Sequence, residues 1–142
     1  MATNAHYQKK IIMQLNVINT KIMKQSISKT IADKTIENQG CNMNVFGQKP
    51  LTGYMVSLKG KEVRELLLDF NQNHIENFIK ANSLALHGNP GLYIGTWVNG
   101  DQVCIDLSVN LRNKAIAIAY GVLNGQTCIY DVLNKKEIYW LE

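Results

Sequence analysis

Proline and cysteine are scarce in this chain, aromatic residues are few, and no apolar run is long. The 142 residues include two prolines, three cysteines and 8% aromatics. The longest apolar runs, such as Ala115 to Tyr120, fall far short of the ~20 residues a membrane-spanning helix needs. The opening MATNAHYQKK lacks the apolar core of a secretory signal, so a cytoplasmic location is expected. Cys41, Cys104 and Cys128 are odd in number and show no C-x-x-C spacing, which argues against a disulfide framework. His6, His74 and His87 stand apart in the sequence, so neither a metal nor a cofactor is expected. P-loop, G-x-G-x-x-G, H-E-x-x-H, G-x-S-x-G and EF-hand patterns are all missing, as are repeats at solenoid periods. These absences exclude the well-marked enzyme classes and lean the reading towards a protein without catalytic activity.

What the chain does have is one strong hairpin signal, Gly91 to Asn110. Two alternating runs flank Asn99-Gly100, a dipeptide suited to a two-residue type I′ turn. That turn predicts that Val98 pairs with Asp101, Ile94 with Ile105 and Leu92 with Leu107. One face is then apolar. The other carries Tyr93, Trp97, Cys104 and Asp106, with Tyr93 opposite Asp106 and a gap at Gly95. Aromatic rings beside a carboxylate can stack a base or sugar and accept a hydrogen bond from it, which makes this face a candidate ligand or partner site.

Charge is uneven. The net charge is +4, and residues 1–42 hold six lysines against Asp33 and Glu37. The rest of the chain balances nine basic residues with nine acidic ones. An excess confined to one end points to an appendage that meets something acidic, so Lys9, Lys10, Lys21 and Lys24 are candidate nucleic-acid or partner contacts. A solvated helix face is the plainer alternative.

From Gln8 to Gln39 there is neither glycine nor proline, and Gly40 suits a helix C-terminus. Ile11, Leu15, Ile18 and Ile22 follow a helical stripe; Ile27 and Ile31 fall on nearly the opposite side. Two helices, one helix with a partner on its far side, or a strand are all compatible with this break, and a helix is the reading adopted. Residues 40–52 read as a loop and give the expected division, a basic helical segment over 1–42 and a compact body over 43–142. Strands are expected at Gly53–Leu58, Thr127–Leu133 and Ile138–Leu141; Glu62–Phe70 is compatible with strand or helix and is read as a short strand or irregular piece over Val63–Leu68. One helix should run from Asn71 or Asn73 to about Leu86, and another from Asn110 or Asn113 to Asn124. The fold class expected is α+β, a mostly antiparallel sheet with two helices on one face and a basic N-terminal helical extension. The second helix is apolar nearly all round and should be covered on both sides, which favours a homodimer.

A further candidate set lies at Gln126, Tyr130 and Asp131. Were their strand to neighbour the hairpin, Asp131 and Asp106 could approach each other and serve acid/base chemistry or hold Mg²⁺. Over residues 52–139 the chain resembles short proteins of phages and bacterial mobile elements. The resemblance rests on Gly53, Tyr54, Val56 and Ser57, on Gly95, Thr96 and Trp97, on Ile105 and Asp106, and on Gln126, Ile129, Tyr130 and Asp131. It implies a protein-binding role, in the form of an inhibitor of a host defence system. A small enzyme or nucleotide binder using Tyr93, Trp97 and Asp106, and a nucleic-acid accessory protein using the lysines, are the alternatives.

Overall fold

The computed structural model describes residues 4–140, with the side chains of residues 23–25, Lys24 among them, outside the described part. In chain order the elements are α1 (Asn4–Asn38), β1 (Gly40–Met43), β2 (Tyr54–Ser57), β3 (Val63–Leu66), α2 (Gln72–Ala81), α3 (Ser83–Gly88), β4 (Leu92–Asn99), β5 (Gln102–Leu111), α4 (Lys114–Leu123), β6 (Cys128–Asp131) and β7 (Lys136–Tyr139). The strands form one sheet in the order β1-β4-β5-β2-β6-β7, with β3 also on β5. Every pairing among the described residues is antiparallel. The α+β class with an N-terminal helix is therefore as the sequence implied.

The hairpin turn sits one residue later than its dipeptide implied. Asn99 pairs with Gln102, so Gly100 and Asp101 are the two loop residues. Gly100 has φ of 62°, whereas Asp101 is not in the positive-φ region. Positive φ at the first central residue alone is the type II′ pattern, which asks for glycine there. The register slips by two residues, and an even slip keeps every side chain on its own face. Ile94 now meets Leu107, Gly95 meets Asp106, Trp97 meets Cys104 and Tyr93 meets Ser108.

The apolar face of this hairpin carries the core. Ile94, Val103, Ile105 and Leu107 pack against Ile31 and Ala32 of α1, Ile75, Phe78 and Ile79 of α2, and Leu86 of α3. A smaller cluster joins Val56, Ile129 and Ala117 of α4. Asn71 starts α2 with a capping box: its side chain accepts from the Asn73 amide at 2.8 Å, and its own amide donates to His74 Nδ1 at 3.1 Å. The single helix expected over 71–86 is two. Asn82 lies between them with a non-helical ψ of 20°, and its side-chain amide donates back to the Phe78 carbonyl at 2.9 Å.

The N-terminal segment is one helix, already formed at Asn4. Its second half belongs to the body. Ile31 and Thr35 are fully buried, and the Thr35 hydroxyl reaches that of Thr96 on β4. Residues 40–43, expected as loop, are edge strand β1 on β4. The division expected between 42 and 43 thus falls inside a strand. Gln39 is the single residue between α1 and β1, and it takes the left-handed region at φ of 64°. At Gly40 an added Cβ would sit 2.9 Å from the Thr96 carbonyl oxygen, so glycine there lets β1 lie flush on β4.

Truncating Ile31 tests the integration of α1. Ile31→Ala should lower unfolding free energy by ~2–5 kcal/mol, as for other fully buried large residues. Ile11→Ala, at an exposed position, should change it little. Urea melts of the two variants check this; equal midpoints would show that α1 is not part of the cooperative body.

Candidate functional site

All four helices pack on the apolar face of the sheet. Among the described residues, the opposite face carries no helix, and the second face of the hairpin lies there. Asp106 is at its centre and is 5% exposed. Its carboxylate lies over the backbone of Gly95, where a Cβ would collide with Oδ1. The gap at Gly95 is therefore filled by Asp106 itself. Ser57 Oγ of β2 donates to Oδ2 at 2.7 Å, and Ser108 Oγ donates to Oδ1 at 2.8 Å. Burial pushes the carboxyl up from its ordinary 3.8 to about 6; the two serine bonds oppose that shift, and the negative charge of Glu62 adds to it.

Around this carboxyl stand Cys104, fully buried, and the exposed pair Arg64 and Glu62, whose Nε to Oε2 distance is 3.0 Å. Burial and the Glu62 charge raise the Cys104 thiol, with Arg64 opposing, so it is held as the protonated thiol and not as a nucleophile. Trp97 is cross-strand from Cys104 and remains 37% exposed; Tyr93 is half-buried. The structure therefore brings Tyr93, Trp97, Cys104 and Asp106 to one face, as alternation implied. Sequence reasoning missed Ser57, Ser108, Glu62 and Arg64 as members. Ser108 was within reach of it, because it follows Asp106 by two residues on the same strand.

Gln126 and Asp131 lie elsewhere. β2 separates β5 from β6, and Asp131 pairs with Tyr54, which pairs with Leu111. Alternation then places Asp131 on the helix-bearing face, opposite to Asp106. The approach of the two carboxylates is ruled out by this strand order. Asp131 instead closes its own turn, accepting from the Asn134 amide at 3.1 Å and its side chain at 2.8 Å, and these bonds hold its pKa below the ordinary carboxylate value. Gln126 follows the turn after α4, and its backbone amide donates to the Gly121 carbonyl.

A groove of about 370 Å³ opens between β3 and α2, lined in part by Glu62, Glu65, His74 and Asn82. His74 is the one imidazole in it. Its Nδ1 accepts the Asn71 amide at 3.1 Å, and Nε2 lies 3.5 Å from Glu65 Oε2. Among the described residues, no group of three His, Cys, Asp or Glu side chains is placed to hold a metal ion.

The remaining candidates sit on the first half of α1. Residues 4–22 are exposed along their whole length. Lys9, Lys10 and Lys21 stand on this arm; the side chain of Lys24 is outside the described residues. Ile11, Leu15, Ile18 and Ile22 are each more than half exposed. Ile31, nine residues beyond Ile22, lies about two and a half turns on and faces the core. The arm's apolar stripe thus points away from the body. α4 has a second open patch at Ile116, Tyr120 and Leu123, so its expected cover on both sides is not provided by the described residues. No family model matches this chain, and neither the curated proteins nor the solved structures include a match to it.

The buried carboxyl makes stability depend on pH. A folded-state pKa above the ordinary value means that the native state holds the proton more tightly. This contribution is fully present below pH 3.8 and is lost as pH rises towards about 6. A shift of about two units corresponds to roughly 3 kcal/mol. Asp106→Asn keeps the shape and removes the charge. Its stability relative to the parent should rise by up to that amount between pH 4 and pH 7, in urea melts across that range. Parallel curves would show that the carboxyl is not shifted.

Proposed function

We propose that the chain is a non-enzymatic protein-interaction module whose contact surface is the α1 arm. The observation that carries this reading is the stripe Ile11, Leu15, Ile18 and Ile22, exposed and turned away from the body. Apolar surface of that extent at helical spacing is costly to leave in water; burying each such side chain fully is worth ~1.5–3 kcal/mol. A contiguous stripe of this kind marks an interaction site more often than it marks plain surface. The groups best suited to chemistry support the non-enzymatic side of the reading. Both oxygens of Asp106 and Nδ1 of His74 are committed to internal partners, and Cys41, Cys104 and Cys128 are all shifted upward by burial.

Ile18→Asp, alone and with Leu15→Asp, tests the proposal. The body should melt as the parent does, because neither residue touches the core, while association with protein partners should fall by at least tenfold. A collapsed melting transition would make the stripe structural and sink the reading.

The lysines give a second reading. Lys10 and Lys21 lie about three turns apart on one flank of the arm, a spacing that can follow a phosphate backbone. If they do so, affinity for DNA or RNA should fall steeply with salt and be lost when both are changed to Glu. Unchanged gel mobility at low salt would leave only the protein-binding role.

A further inference from the structure

β3 ends the sheet on one side, because β5 is its one strand partner among the described residues. The Leu67 amide donates to the Asp101 carbonyl at 2.7 Å in the same register. Bonded pairs alternate along an antiparallel ladder, so Val63 and Glu65 direct their backbone groups to β5, and Arg64 and Leu66 turn theirs to the open side. The Leu66 carbonyl accepts the Asp69 amide at 3.0 Å. The Arg64 amide and carbonyl and the Leu66 amide are left for another chain, and both residues are exposed. A row of such groups is a template for one more strand.

The groove of about 370 Å³ lies between this strand and α2. Its far wall is His74, Asn77, Phe78 and Ala81, one face of α2 at helical spacing. Val63 and Glu65 belong to the near wall. Side chains of paired strands share a face with the residues they oppose. The residue opposite Glu65 on an added strand therefore enters the groove, and its two neighbours point to the other face. Glu62 is already paired with Arg64 at 3.0 Å, and Lys61 lies ahead of the strand. Glu65 is left as the carboxylate of the strand wall, partly exposed beside the His74 ring. A lysine or arginine opposite it gains a cross-strand ion pair. A second copy of β3 fits this edge poorly. Antiparallel copies centred on Glu65 set carboxylate against carboxylate, and copies centred on Arg64 set guanidinium against guanidinium. Centred on Leu66, only the last residues of the strand overlap.

We propose that the open edge of β3 and its groove dock an extended peptide segment of another protein, added antiparallel to β3 with a lysine or arginine opposite Glu65. Main-chain bonds to Arg64 and Leu66 hold such a segment, and the groove selects its central side chain. This surface shares no residue with the α1 arm and does not depend on it.

The probe is a displayed library of heptapeptides with Lys or Arg fixed at the centre, selected on the full chain, with the recovered peptides then synthesised and titrated. Binding should shift the amide resonances of Arg64 and Leu66. N-methylation of the two residues flanking the central one removes the amides that face β3 and should weaken binding roughly tenfold or more. N-methylation of the central residue, whose amide faces away, should change it little. Leu66→Pro removes an edge donor without touching the β5 ladder and should weaken binding several-fold. If Leu66→Pro fails to fold, the methylated peptides decide. Glu65→Lys should reverse the preference and favour peptides with Glu at the centre. Ile18→Asp, on the arm, should bind as the parent does. The proposal is overturned if no peptide is recovered, if both methylation patterns cost the same, if folded Leu66→Pro binds in full, or if Glu65→Lys keeps the preference for Lys or Arg. Amide protection at Arg64 and Leu66 that rises with the concentration of the chain alone would put a second copy on the edge and overturn it too.

Discussion

The backbone of β5 is the constraint on which the rest of the sheet depends. Its ten residues pair with β4 along one side and with β3 and β2 in series along the other. Among the described residues, no other strand has three partners. β1 reaches it through β4, and β6 and β7 through β2. The inner side chains Val103, Ile105 and Leu107 are buried beneath the helices, while Cys104, Asp106 and Ser108 between them are buried on the other face. A strand buried on both faces tolerates a carboxylate only if its oxygens are satisfied, and Ser57 and Ser108 satisfy them. Asp106 is thus a polar tie between the central strand and β2, present at a cost in stability above its pKa.

Much of this was legible in the sequence, because period-two alternation determines faces even where register is misjudged. The turn at Gly100-Asp101 was misplaced since Asn-Gly and Gly-Asp overlap in one tripeptide, and only the backbone decides which pair closes the loop. The two-residue slip still left Tyr93, Trp97, Cys104 and Asp106 together. Strand order was not legible. Nothing in residues 54–57 announces that they insert between β5 and β6, and that insertion separates Asp106 from Asp131. β1 was hidden for a different reason: Gly40, Cys41 and Asn42 have little strand propensity, and their conformation is imposed by pairing with Gly95, Thr96 and Trp97.

The broken stripe of residues 11–36 has a plain physical origin. One helix serves two environments, and its apolar side changes where it leaves the body. Periodicity measured over the whole element averages the two and finds little. Taken separately, Ile11, Leu15, Ile18 and Ile22 lie on one side of the helix, and the buried Ile31 and Thr35 lie on another. A break in phase without a helix breaker is therefore a signal of a projecting helix, which sequence reading left as one of three alternatives.

The single-residue joint at Gln39 has a consequence for how such a chain can vary. Adding or removing one residue between Asn38 and Gly40 would change the one non-helical joint that sets α1 against β1. Either Ile31 and Thr35 would leave the core or β1 would lose its register on β4, so this joint is closed to length change. An insertion among residues 23–26, ahead of the packed half, would leave Ile31 and Thr35 where they are and swing the outer stripe to a new bearing. Contact direction can thus be retuned by indels at one site in the helix with the body untouched, so the two halves of α1 are open to selection on different terms.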